Sequence, residues 1–222
     1  MTNNGGAGWP IAYTTGPRDH MHALGVVSVN FNTFENALFA LFRHHLTRLG
    51  VNIEAARQIY SGLQDEQKQL SLRALFAAHE QDAEVREHLE HLLRYFNKCV
   101  HNRNYLLHSQ HTGEASEEFL ALRKSIRGDW SNYYAFRIPI TQLRRIADDM
   151  NSGTNYLFSI WAYIGLRDGT LVNVDLVSGR RWREKDLPLL PTKPSLPKTL
   201  DLPKRSRPPP KSRSHPDRPS GG

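Results

Sequence analysis

Cysteine is almost missing from this chain: Cys99 is the only one in 222 residues. A disulfide framework within one chain is excluded, and so is a zinc site built from paired cysteines. Long hydrophobic runs are missing as well. The longest apolar stretch, LFSIWAYIGL at 157–166, falls short of the roughly 20 residues that span a bilayer. The opening MTNNGGAGWPIAYTTGPRDH has no cationic start followed by an apolar core, so it does not read as a secretory signal. A Gly-rich phosphate loop, a serine-nucleophile elbow and a paired-carboxylate motif are all lacking. The expectation is a cytoplasmic protein in a reducing compartment, with no membrane contact.

Proline is scarce in the first part of the chain and abundant in the last, ten of the thirteen lying beyond residue 187. Charge divides at nearly the same place. Residues 180–222 hold twelve Lys/Arg against four Asp/Glu, a net of +8, which leaves the first 179 residues at −1. The high isoelectric point belongs to a tail, and the folded part need not bind nucleic acid on charge alone. Beyond about residue 186 there is too little apolar surface to offset chain ordering, so the tail is expected to be disordered with local polyproline II, and removable (187–222) without loss of helicity or melting temperature. Its basic charge points to contact with polyanions. Its PxxP spacings also fit an SH3-type ligand.

Apolar residues at three- and four-residue steps predict helices over about 20–49, 53–60, 65–78 and 82–107. The last of these carries Val85, Leu89, Leu92, Leu93, Phe96, Cys99, Val100 and Leu107 on one stripe. Residues 113–138 are richer in aromatics and read as short extended pieces. Pro139 at a first-turn position opens another helix, expected to break at Ser152 and Gly153 before running on to Ile164. Around Asp168-Gly169 an alternating pattern suggests a hairpin. His88 and His91 share with Glu87 and Glu90 a polar helix face that is expected to be solvated. With no further ligand fixed by spacing, neither a metal nor any other cofactor is expected.

One residue breaks the strongest helix. On a wheel of about 100° per residue Arg103 lies about 20° from the middle of the apolar stripe. A guanidinium buried there needs partners that accept its hydrogen bonds. Glu35 makes the matching intrusion on the first helix. Either the two form a buried salt bridge that fixes how the helices pair, or Arg103 lies where the face opens to a groove or a partner chain. Asn104 and His108, four apart, point one way, whereas Arg103 and His108 differ by about 140°. Two copies facing each other across a dimer axis would reconcile them.

RNYLLH, Arg103 to His108, resembles the R-N-x-x-x-H signature of the HEPN superfamily, and the resemblance extends over the helical pattern from about 20 to 165. It implies a mainly α-helical bundle of four or more helices, here with a small irregular or β insertion and a disordered C-terminal tail. The corresponding division is a flexible N-terminus over 1–17, a HEPN-like domain over 18–180 and the basic proline-rich tail over 181–222. It further implies a homodimer formed through the motif face and metal-independent cleavage of RNA to 2′,3′-cyclic phosphate and 5′-OH ends, in toxin-antitoxin or antiviral defence, with an antitoxin-like partner. His108 would then exchange the proton, Arg103 would stabilise the phosphoryl charge, and Asn104 would orient one of them. Tyr105 and His101 are candidate RNA contacts. The rival expectation is a non-catalytic HEPN-like interaction module that binds a partner protein or nucleic acid, with Arg103 and Glu35 as a structural pair.

Overall fold

The computed structural model describes residues 17–126, 129–170 and 189–200. Four helices come first: α1 (Arg18–Arg48), α2 (Ile53–Ser61), α3 (Asp65–His79) and α4 (Ala83–Leu107). Three strands follow, β1 (Gln110–Ala115), β2 (Phe119–Ile126) and β3 (Asp129–Pro139), before the last helix, α5 (Ile140–Arg167). The protein is thus mainly α-helical with a small β insertion. The flexible N-terminus expected over 1–17 lies, except for Pro17, outside the described residues.

Local chemistry sets the helix ends. Asn52 caps α2, its side chain accepting from Ala55 N at 2.7 Å. Asp82 caps α4 by accepting from Glu84 N at 2.9 Å and Val85 N at 3.3 Å. Both satisfy amides that have no partner within the helix. Asp168-Gly169, expected as a hairpin turn, instead closes α5. Gly169 takes φ +66°, which lets Thr170 N reach back to Gly165 O at 2.9 Å. The strands expected beyond it lie outside the described residues.

The core forms where α1, α4 and α5 meet. Phe31 stacks on Phe96 with ring centroids 5.6 Å apart, and Phe34 meets Phe96 edge-on at 5.1 Å. The expected break in α5 is absent. Gly153 lies inside a continuous helix, where a Cβ would stand 2.5 Å from Phe34 and 2.7 Å from Tyr95. The residue that reads as a helix breaker is there so that α5 can come close to α1 and α4. The stripe of α4 matches expectation from Val85 to Val100, but at its end Leu106 is buried and Leu107 is exposed. Strands β1, β2 and β3 form one antiparallel sheet in sequence order, with the β2–β3 hairpin pairing Phe119 with Pro139 and Ser125 with Tyr133.

Residues 189–200, inside the stretch expected to be disordered tail, lie against α4. His91 Nε2 donates to Pro194 O at 2.8 Å, and Lys193 pairs with Glu87 at 3.0 Å. Asn102 spends both ends of its amide on the segment, donating to Lys198 O at 3.0 Å and accepting from Leu200 N at 2.9 Å. Pro197 and Leu200 are buried. The described part of the expected tail, 189–200, is therefore packed rather than disordered, while the boundary expected near 181 lies outside the described residues. Removal of 187–222 is now expected to carry a cost, because it would strip Asn102 of its partners and bare apolar surface. Residues 171–188 and 201–222 lie outside the described residues.

Candidate functional site

The end of α4 carries every residue singled out from the sequence except Glu35, and the fold sorts them onto different faces. Arg103 turns inward. Its Nη2 donates to Asp65 Oδ2 at 3.1 Å and its guanidinium lies 4.2 Å from the centre of the Phe31 ring. Only 18% of the side chain is exposed. The Nε has no hydrogen-bond partner among the described residues.

Glu35 is not that partner, which corrects the expected pair. The start of α3 stands between the two and supplies both countercharges: Asp65 to Arg103, and Lys68 to Glu35 at 2.5 Å. Lys68 also lies 3.9 Å from Asp65 and 5.0 Å from the centre of the Tyr60 ring, while the Tyr60 hydroxyl donates to Glu35 O at 3.4 Å. The intrusive charges of α1 and α4 are therefore neutralised through α3. The sequence hid this because Asp65 and Lys68 read as ordinary first-turn polar residues of a short helix.

Asn104 lines a cleft of about 390 Å³ between α3 and α4, together with Asp65, Glu66, Gln69, Asn97 and Val100. Two carboxylates stand on its wall, and the arginine there, Arg73, is held by Glu90 at 3.1 Å. Such a lining repels a phosphodiester more than it attracts one. The Asn104 carbonyl accepts from Lys124 Nζ of β2 at 2.7 Å. His108 is exposed at the C-cap of α4. No hydrogen bond or ion pair joins Arg103, Asn104 and His108 to one another among the described residues.

A different set does come together. His101, Tyr105 and His108 follow one another at four- and three-residue steps and share a face of α4. The His101 and Tyr105 rings lie 4.5 Å apart, and Lys124 reaches over Tyr105 with Nζ 4.3 Å from the ring centre. Burial holds His101 below the usual imidazole range, and the nearby Lys98 and Lys124 add to the shift. Burial likewise makes the Lys124 ammonium easier to deprotonate than an ordinary lysine. Near neutral pH the cations on this face are the lysines rather than His101.

No family model, curated protein or solved structure matches the chain. What this end of α4 can do follows from its side chains. A partly buried tyrosine ring with a cation over it and imidazoles beside it offers stacking surface to a base and charge to a phosphate. Among the described residues no group of three or more His, Cys, Asp or Glu side chains is placed to hold a metal ion. No helix among them is long and apolar enough to cross a membrane.

The remaining histidines depart from expectation. His88 and His91 are buried rather than solvated. The Tyr156 hydroxyl and His88 Nδ1 are hydrogen-bonded at 2.8 Å, and His91 is covered by residues 189–200. Asn102, buried and doubly bonded to that segment, escaped the sequence reading altogether. The available signal was its position: Glu87, His91 and Asn102 fall on a single stripe of α4, beside an apolar face that already had its partner.

Proposed function

We propose that this chain is a HEPN-like, non-catalytic interaction module that binds single-stranded nucleic acid through the face made by His101, Tyr105, His108 and Lys124. The observation that carries this is the division of α4: Arg103 points inward to Asp65 and Phe31, while the aromatic and cationic side chains point outward together. A guanidinium already paired with a carboxylate would have to give up that pair to meet a phosphate. Tyr105 is only partly buried, and Lys124 above it is held by a backbone carbonyl rather than a carboxylate, so neither has an ion pair to give up.

A second reading, cleavage of RNA by a homodimer, is favoured by one feature: among the described residues Arg103 makes a single hydrogen bond and leaves Nε unmatched. A second copy could supply what the guanidinium lacks and bring His108 to it. In that reading Arg103 stabilises the phosphoryl charge and His108 moves the proton.

One experiment separates the two. Wild type, Tyr105→Ala and His108→Ala are incubated with mixed RNA in EDTA, with binding followed by anisotropy and RNA ends identified chemically. The expected result is salt-sensitive binding weakened roughly tenfold by Tyr105→Ala, in line with the value of about 1–3 kcal/mol for one base stacked on an aromatic ring. The ends should be unchanged. Cyclic phosphate ends that vanish in His108→Ala would establish the nuclease instead.

A further inference from the structure

Residues 191–200 read PTKPSLPKTL, with Pro191, Pro194, Pro197 and Leu200 at three-residue steps. Burial follows that period up to Lys198: Pro197 and Leu200 are buried and Pro191 and Pro194 half-buried, whereas Thr192, Lys193, Ser195, Leu196 and Lys198 are exposed; Thr199, next to Leu200, is half-buried as well. A period of three is the repeat of a polyproline II helix, which shows one ridge to a receptor and leaves its backbone polar groups open to outside partners.

The surface of α4 supplies such partners at matching spacing. His91 takes Pro194 O, and Asn102, eleven residues on, takes Lys198 O and Leu200 N. Eleven residues of α-helix advance about 16 Å. Five to six residues of polyproline II, at about 3.1 Å each, cover the same length. The segment therefore runs parallel to α4, with each anchor in register. His91 itself is set in a ring cluster, 5.7 Å from Tyr156 and 6.5 Å from Tyr95 by ring centroids. Aromatic surroundings, backbone-reading polar groups and a ridge of prolines are the parts from which proline-rich recognition is built.

We propose that α4 carries a recognition groove for an extended segment of pattern PxxPxxPxxL, and that residues 191–200 of this chain are its resident ligand. Asn102 is the specificity element. Because it reads a carbonyl and an amide two residues apart, it requires a backbone that is extended at that point and a residue other than proline at the tenth position. The prolines lower the entropy lost on docking. Glu87 selects for a cation at the position that Lys193 fills. The anchors of this groove on α4 end at Asn102, before Tyr105, and the proposal stands whether or not the chain binds nucleic acid.

The test uses the full chain and a fluorescein-labelled peptide of residues 189–200. In wild type the resident segment competes from within the same chain, at an effective concentration on the order of millimolar, so the free peptide should bind poorly. Leu200→Asp in the chain disables the resident segment, and peptide affinity should then rise at least tenfold. Adding Asn102→Ala should return it to the wild-type level, and a peptide carrying alanine at all three proline positions should not bind. A Leu200→Asp chain that keeps its circular dichroism but binds the peptide no better than wild type would overturn the proposal. In case that variant does not fold, a second measurement places a fluorophore on the exposed position 195 through Ser195→Cys, Cys99 being buried. Excess unlabelled peptide should displace the labelled segment and lower its anisotropy. An anisotropy that stays fixed at several millimolar peptide counts against the groove as decisively.

Discussion

Arg167 and Arg103 stand near the C-terminal ends of α5 and α4, and both are paired with carboxylates, yet they are held in very different ways. Arg167 spends its whole fork: Nη1 and Nη2 donate to the two Glu80 oxygens at 2.9 and 2.8 Å, and Nε to Asp168 at 2.9 Å. Arg48 joins the same cluster at 2.5 Å from Asp168. Arg103 makes one bond, to a carboxylate that is 29% exposed, and rests on a ring. A saturated guanidinium over a buried carboxylate is a bolt that ties α1, α5 and the turn before α4 together. An arginine with one bond and an unmatched Nε is only lightly fixed. Unusual placement in the sequence pattern pointed to Arg103, while the geometry gives the heavier structural duty to Arg167.

The largest expected effect breaks the bolt. Arg167→Met leaves the Glu80 carboxylate, 2% exposed, without its cation, and removing one partner of a buried pair typically costs about 3–5 kcal/mol. Urea unfolding should show the midpoint fall accordingly with little change in slope. Arg103→Met should cost about 1 kcal/mol, since one hydrogen bond to a partly hydrated carboxylate is lost and the methionine keeps much of the apolar contact.

Acid should act on the Arg167 end first. His45, buried beside Phe76 with Nδ1 bonded to Leu41 O at 3.1 Å, is held at about 4 instead of 6.5, chiefly by burial. Between those values the unfolded chain binds a proton that the folded chain does not, so stability falls as pH drops from about 6.5 to about 4, by up to about 3 kcal/mol. Burial alone would raise Asp168, but the hydrogen bond and charge of Arg167, with Arg48 and His44, hold it below the usual carboxylate range. Its contribution is present above the unfolded value and is lost only below about pH 4. Guanidinium melts of wild type and His45→Leu at pH 7 and pH 5 should show a drop for wild type and a much smaller one for the variant. Equal drops would remove His45 from the account.

The helices were legible because each buries one stripe, and a period of 3.6 survives in the sequence whatever lies against it. Positions whose meaning depends on a distant partner were not. Gly153 looks like a breaker until Phe34 and Tyr95 are placed around it. His91 and Asn102 look like surface polar residues until residues 189–200 cover them, and that segment looks disordered because its composition holds few apolar side chains. Its three-residue period was visible, but such a ridge acquires a role only with a receptor, and the receptor lies about a hundred residues earlier in the chain. The expected pairing of Arg103 with Glu35 was wrong for the same reason: their actual partners, Asp65 and Lys68, come from α3, whose register against α1 and α4 no local pattern specifies.

The smallest expected effect bears most directly on Arg103. Replacing it together with its acceptor, as Arg103→Met with Asp65→Asn, removes both charges and leaves a neutral amide that can still meet Lys68 or water. Substituting both members of an ion pair by neutral groups is often neutral or stabilising, so the double variant should lie within about 0.5 kcal/mol of wild type, with a coupling of about 1 kcal/mol between the two sites. Arg103→Lys should sit between the single and the double, since lysine keeps the charge but loses the planar contact with Phe31. The same variants report on function. If the nucleic-acid face is the outer one, all three bind RNA as wild type does, because Arg103 never reaches it. A well-folded double variant that loses RNA binding would place Arg103 in the interface, and a wild type that cleaves RNA while the double variant does not would make it the charge-stabilising group of a nuclease.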